Sequence, residues 1–335
     1  MSGELLVKLN TDNNTFKNIC SIDKEEGENI CLSDNIINKI NTLIIPYNKE
    51  NICNKDDLSC VKEKKKEIID NLINEFECKK DGNEEICIIN KSNERNILNK
   101  EEVNEIKFKH FKPFASKNPI DWLSNDDIDT VQEQLYKKYK NYYYSYIHMV
   151  DLVMVSHGNT NFIDHPIQNI RKINFYNELK NIYYENKISI EDNPLKYYGI
   201  IVNTDPSTRG GQHWFSIYFN FNSTGSLDDP YTIEYFNSSG NPIRNKEFNE
   251  YFINLAIELT DKLQKCVKFI QVTNIQHQGL DPVIGEDSGN CGCYALYYIW
   301  SRLEGIPYKY FNEKKRILSD KIITEFRQKL FRNIE

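Results

Sequence analysis

Cys291 opens the run Asn290-Cys291-Gly292-Cys293-Tyr294-Ala295-Leu296-Tyr297-Tyr298-Ile299-Trp300, which reads as an apolar helix with a thiol on its first turn. The thiolate is the reactive form of cysteine, and the positive end of a helix dipole lowers a thiol pKa. A cysteine in this position is therefore expected to be charged in advance for nucleophilic attack. A base lies upstream. His213 precedes Trp214, Phe215, Ser216, Ile217, Tyr218 and Phe219, a run aromatic or apolar on both alternating faces, as in a strand covered on both sides. The next strand, Tyr231 to Phe236, ends at Asn237. Antiparallel pairing of the two would set the Asn237 amide oxygen against an imidazole N–H, fix the tautomer and leave the second ring nitrogen for the Cys291 thiol, a Cys-His-Asn version of the serine protease triad. Gln278 follows a third strand, Val267 to Val272, and with the Cys291 backbone N–H it is the expected pair of donors to an oxyanion.

These groups need a scaffold, and the periodicity supplies one. Asn125 can cap a helix from Asp126 to about Tyr142, and Tyr198 to Val202 reads as a further strand. Lys246 to Cys266 carries Phe248, Phe252, Leu255, Ala256, Leu259 and Leu263 at helical spacing, and Glu313 to Arg332 carries Ile317, Ile322, Ile323, Phe326, Leu330 and Phe331. Helices with a mixed, mostly antiparallel sheet define an α+β fold in which the cysteine helix packs across the sheet. This catalytic domain is expected over 119–335. Residues 1–118 read as a helical accessory region, with one helix from Ser33 to about Leu43, another from Val61 to Phe76, and polar Asn, Lys and Glu loops between them.

Neighbouring residues admit plainer roles. Cys293 falls on a nearly opposite face of the helix from Cys291 and is expected in the core. His110, His148, His157 and His165 lack a matching partner, and His277 beside Gln278 reads as a positioning or core residue. Gly210-Gly211 is expected to be a turn into the His213 strand. The segment between Gln278 and Cys291, with Pro282, Gly285 and Gly289, reads as a mobile loop that places Gln278 when substrate binds.

The chain has 335 residues, 12% of them aromatic, enough for one large or two smaller packed domains. No run approaches the roughly 18 apolar residues of a membrane span, and Met1-Ser2-Gly3-Glu4-Leu5 has no signal-peptide pattern, so neither a membrane partner nor secretion is expected. Its formal charge of −7 argues against tight nonspecific DNA binding, and the basic run Lys62 to Lys66 has acidic neighbours. The nine cysteines lack Cys-x-x-Cys pairs with histidine nearby. Reduced thiols are the expectation, with no zinc site, even at Cys53 with Cys60 or Cys78 with Cys87.

The order His213-Trp214, Asn237, Gln278, Cys291-Gly292, with each group at the end of the same kind of element, resembles the clan of SUMO-specific and adenoviral cysteine proteases. Within it, Asn203-Thr204-Asp205, Ile233 to Ser238 with Gly240-Asn241, Val272 to Ile275 with His277-Gln278, and Tyr294 resemble the polyprotein-processing proteases of African swine fever virus and its relatives in large DNA viruses. Asp121 to Ile128 is similar to the Trp-Leu segment that precedes the first catalytic-domain helix in SUMO proteases. The resemblance covers the C-terminal half and is loose over the first hundred or so residues.

It implies a thiol endopeptidase without a cofactor, with Cys291 as nucleophile, His213 as base, Asn237 as its orienter and Gln278 in the oxyanion hole. Trp214 would wall a narrow groove. The implied partner is a polypeptide with Gly-Gly-X sites, a viral structural polyprotein, met in the host cytoplasm at viral factories and in the virion. Two departures stand out: Gln278 lies farther from the cysteine than in relatives, and Asn237 replaces the Asp of most SUMO proteases. Three alternatives stay open: a deconjugase for a ubiquitin-like modifier, an acetyltransferase, and a non-catalytic virion protein.

Overall fold

A computed structural model describes residues 19–24, 30–44, 58–155, 196–285 and 288–332. Cys53, His157 and His165 lie outside them. The described residues fall into two compact units, one over Lys117–Arg327 and one drawn from Lys8–Ser116 with Gln328–Glu335.

The second unit is helical. Its helices are α1 (Asp34–Ile44), α2 (Leu58–Glu75), α3 (Glu84–Glu94) and α4 (Lys100–His110). The last two follow the second expected helix, in a stretch where the sequence marked no element. Each has few apolar residues, but Ile86, Ile88 and Ile89 of α3 and Val103 and Ile106 of α4 are buried with Leu72, Ile73 and Phe76 of the preceding segment. A capping box between Asn99 and Glu102 starts α4, each side chain accepting the other's backbone N–H.

The expectation of reduced thiols fails in this unit. Cys20 pairs with Cys31, Cys78 pairs with Cys87, and Cys60 is also disulfide-bonded, whereas Cys266, Cys291 and Cys293 are free. The physical reason is the size of the core. A unit this small gains from cross-links, and closing loops of 11 and 9 residues is worth about 3 kcal/mol each on chain-entropy grounds. The Glu85 carboxylate lies beside Cys20 and Cys31, but their sulfurs are bonded to each other. It accepts the Cys31 and Leu32 N–H groups instead, at 2.9 and 2.8 Å.

The unit over Lys117–Arg327 is α+β. Ser124, one residue before the expected cap, starts α5 (Asn125–Lys138) in a reciprocal box with Asp127. The helix stops before Tyr142 because the tyrosine run there suits a pleated strand: β1 (Tyr142–Tyr144) pairs parallel with β3 (Tyr197–Asn203), as does β2 (His148–Met149), and a short α6 (Leu152–Val155) follows β2. The antiparallel centre of the sheet is β3, β4 (Trp214–Asn220) and β5 (Tyr231–Phe236), and β6 (Val267–Val272) closes it parallel to β5, giving the order β1-β3-β4-β5-β6. The expected helix over 246–266 is α7 (Lys246–Leu263), whose Phe248, Phe252, Leu255 and Leu259 pack on Phe215, Ile217, Phe219, Ile233 and Tyr235.

The cysteine helix, α8 (Cys291–Leu303), is buried along its whole length. The expected closing helix is shorter than its apolar spacing suggests. Two 3₁₀ turns, Tyr308–Asn312 and Lys314–Arg316, come first, and α9 (Asp320–Leu330) follows. The break is fixed by His277, whose Nδ1 accepts the Leu318 N–H at 3.1 Å while Nε2 donates to the Phe311 carbonyl at 3.0 Å. No described helix is long and apolar enough to cross a membrane.

One charged contact ties α8 to the sheet. Glu234, fully buried in β5, takes a fork from Arg302 of α8: Nε to Oε2 at 2.7 Å and Nη2 to Oε1 at 2.9 Å. Tyr298 Oη and Thr232 Oγ1 donate to the same carboxylate, each at 2.6 Å. Removing one member of such a pair strands the other in a dry site. Glu234→Ala is therefore expected to cost about 3–5 kcal/mol, measured by urea unfolding, while exposed Lys246→Ala should change stability by less than about 0.5 kcal/mol.

Candidate active site

The strand register delivers His213. Gly211 turns the chain at φ 87°, and an added Cβ there would come within 2.7 Å of Asn203 Nδ2, so the expected glycine turn is also a close approach that excludes a side chain. Asn203, buried at the end of β3, accepts the Asp205 and Gln212 N–H groups on Oδ1, at 3.0 and 3.1 Å, and the Thr204 N–H binds the His213 carbonyl at 2.9 Å. His213 is half-buried at the mouth of β4.

Asn237 meets it from the end of β5. The Ser239 N–H, which can only donate, reaches Asn237 Oδ1 at 3.0 Å, and Nδ2 donates to Tyr235 Oη at 2.9 Å. These contacts settle the amide's orientation: the oxygen faces His213, whose Nε2–H donates to it at 2.8 Å. Nδ1 then carries the lone pair, so it can take a proton from a thiol.

Cys291 is the first residue of α8 and only 3% exposed. The backbone N–H of Trp214, the residue after His213, donates to its sulfur, as do the N–H groups of Gly292 and of Cys291 itself. Trp214 thus links the end of the His213 segment to the start of α8. Its side chain is buried, at 5% exposure. Cys293 is in the core as expected, its thiol pushed up to about 12 by burial.

Gln278 is held at both ends of its amide. Oε1 accepts from Ser238 Oγ at 2.7 Å, and Nε2 donates to the Ser288 carbonyl at 2.6 Å, which leaves one N–H for another acceptor. The loop that follows is anchored at its start and finish. Asp320 Oδ2 accepts the Gly279, Leu280 and Asp281 N–H groups at 2.9, 3.2 and 3.3 Å, and the Gly289 N–H donates to the Pro119 carbonyl at 2.8 Å. A Cβ on Gly289 would come within 2.4 Å of the Ile120 carbonyl oxygen. Trp122, next in the chain after the Ile120 and Asp121 carbonyls that Gly289 approaches, is 53% exposed. On the His213 side a cavity of ≈ 390 Å³ is lined by Asp205, Gln212, Asn237 and Arg244 over Phe215 and Tyr235.

The electrostatics correct one expectation. Burial pushes the Cys291 thiol up, above its ordinary value, and outweighs the three N–H groups and the nearby Arg327 charge that pull it down. Burial also lowers His213, against the opposing bond to Asn237. Burial thus favours the neutral thiol and the neutral imidazole, against the pull of the helix terminus. Removing both from water is costlier for the charged forms than for the neutral ones.

The sequence profile of the Ulp1 protease family, C-terminal catalytic domain, matches residues 121–335, and the chain belongs to this family of cysteine proteases. Two relatives make the likeness more particular. The SUMO-1 cysteine protease of an African swine fever virus tick isolate from South Africa is 30% identical over 222 residues, 66% of this chain and 72% of the relative. The cysteine protease of the Badajoz strain of that virus matches to the same extent. In three dimensions the crystal structure of the African swine fever virus protease superposes with a TM-score of 0.58 at 19% identity, covering 94% of this chain and 96% of that one. Its selenomethionine form gives 0.61, covering 97% and 99%.

Two pH effects follow. A neutral resting thiol predicts that alkylation of Cys291 by iodoacetamide, read by mass spectrometry, keeps rising through about pH 9; a plateau near neutrality would reveal a preformed thiolate. Stability should fall in acid for a separate reason. Burial pushes His148 and His277 down to about 4, so from 6.5 downward the unfolded chain takes up protons that the folded chain refuses. Their contribution is complete above about 6.5 and is lost as pH falls to about 4, which urea titrations across that range will show.

Proposed function

We propose that this chain is a thiol endopeptidase that cuts structural polyprotein precursors after Gly-Gly during virion maturation. The observation that carries the reading is the 2.8 Å bond from His213 Nε2 to Asn237, with Trp214 donating its backbone N–H to the Cys291 sulfur. Cys291 gives its proton to His213 Nδ1 as the sulfur attacks the scissile carbonyl. The oxyanion forms beside the Cys291 N–H and the remaining N–H of Gln278. His213 returns the proton to the leaving amine, water hydrolyses the thioester, and the free thiol is restored. Because the imidazole protonates the leaving amine, the cavity beside His213 suits the residues after the cut.

Burial of the sulfur supports cleavage after glycine. A nucleophile 3% exposed between Trp214 and its own helix is most easily reached by a peptide segment without side chains. On this reading the Trp214 indole walls that approach. Viral factories in the host cytoplasm and the virion are the settings that match such a substrate. A second reading shares the chemistry: a ubiquitin-like modifier also ends in Gly-Gly, and one relative carries SUMO-1 in its name.

A Gly-Gly-X peptide library, incubated with the full chain with and without reductant and read by mass spectrometry, tests this. Wild-type and Cys293→Ala proteins should cut after Gly-Gly, Cys291→Ala should not, and Asn237→Ala should lose on the order of a hundredfold in kcat. Release of a folded modifier from an isopeptide bond, with no cleavage of linear peptides, would favour the deconjugase.

A further inference from the structure

The residue before the nucleophile is held by the helix that closes the catalytic unit. Asn290 is fully buried. Its carbonyl accepts the Tyr294 N–H at 2.9 Å, the opening bond of α8. Its side chain faces α9: Nδ2 donates to Thr324 Oγ1 at 3.2 Å, and Oδ1 accepts from Arg327 Nη1 at 3.1 Å. The same Nη1 donates to the Asp121 carbonyl at 2.7 Å, so one guanidinium joins α9, the start of α8 and the segment leading into α5. Arg327 has no exposed surface. A guanidinium keeps its charge in such a site, where charge acts over a lower dielectric than in water.

We propose that Arg327 is a positioning residue for Cys291, clamping Asn290 to the Asp121 carbonyl so that the first turn of the nucleophile helix is fixed, and placing a permanent positive charge near the sulfur. The proposal rests on the reading of Cys291 as nucleophile. It answers a need that the triad leaves open. Asn237 orients the imidazole but carries no charge to stabilise the imidazolium, so the ion pair that forms during attack depends more on the charge and dipoles around the sulfur. Arg327 pulls both Cys291 and Cys293 toward the thiolate, and the other groups bearing on them are the Trp214, Gly292 and Cys291 N–H groups on Cys291, and Cys291 and Asp127 on Cys293. His213 approaches through the Trp214 segment.

Charge and clamp can be separated in the full chain. Arg327→Gln removes the charge; Asn290→Ala keeps it and breaks the clamp. For Arg327→Gln the Cys291 titration midpoint, from iodoacetamide alkylation against pH, is expected to rise by about one unit, with kcat for a Gly-Gly-X peptide down about tenfold and KM within about twofold. For Asn290→Ala the midpoint should stay at the wild-type value while kcat falls about tenfold. A folded Arg327→Gln protein with an unmoved midpoint overturns the proposal. If that variant does not fold, as judged by near-UV circular dichroism, wild-type kcat in Asn290→Ala overturns it and the tenfold loss supports it. Cleavage retained by Cys291→Ala would instead remove the nucleophile reading.

Discussion

The buried fork between Glu234 and Arg302 is the contact on which the site's geometry depends. Glu234 sits in β5 three residues before Asn237, and Arg302 sits in α8 eleven residues after Cys291. Joining them fixes the strand that ends at Asn237 against the helix that begins with Cys291. Aromatic packing extends the same seam: the rings of Phe236 and Tyr298 stack at 4.3 Å with 5° between their planes. Ion pairs this deep rarely add much net stability compared with apolar packing, because both charges lose their hydration. Here the pair's value is directional, since a two-pronged salt bridge admits one register of helix on sheet where apolar side chains would tolerate several.

The site's second constraint is dryness. A sulfur and an imidazole withdrawn from water favour their neutral forms, so charge separation is confined to the reaction itself. Neutral Asn237 suits this arrangement. It fixes which ring nitrogen carries the proton and leaves the other free to accept one, without holding an imidazolium in place between turnovers. The N–H groups of Trp214 and Gly292 already bear on the sulfur. Dipoles aligned before the charge appears need no reorganisation when it does.

Much of this was legible in the chain. Strand β4 stood out because its run carries apolar side chains on both faces, α7 because its apolar positions recur at helical spacing, and α8 as an apolar run headed by a cysteine. The candidate triad was drawn from residues that each close or open a strand or a helix. Other features leave no such mark. Glu234 is one acid within an apolar strand, and its partner lies 68 residues away. The spacing of the N-terminal cysteines fits thiols and disulfides equally. The helix dipole at Cys291 is a local property that sequence reveals, whereas the burial that outweighs it belongs to the assembled fold. Helices α3 and α4 were missed because most of their residues are polar and only a few isoleucines and a valine anchor them. Tyr142 looked like the end of α5 until pairing with β3 claimed it as strand.

The central claim is that Cys291 forms the acyl intermediate with His213 as its base. Rapid acid quench of the full chain mixed with a Gly-Gly-X peptide, followed by proteolysis and mass spectrometry, tests it most directly. The account predicts a transient thioester on the peptide containing Cys291, carrying the Gly-Gly side of the substrate, that fails to accumulate in His213→Ala. Product formation with no adduct on Cys291, or with the acyl group on Cys266 or Cys293, would contradict it.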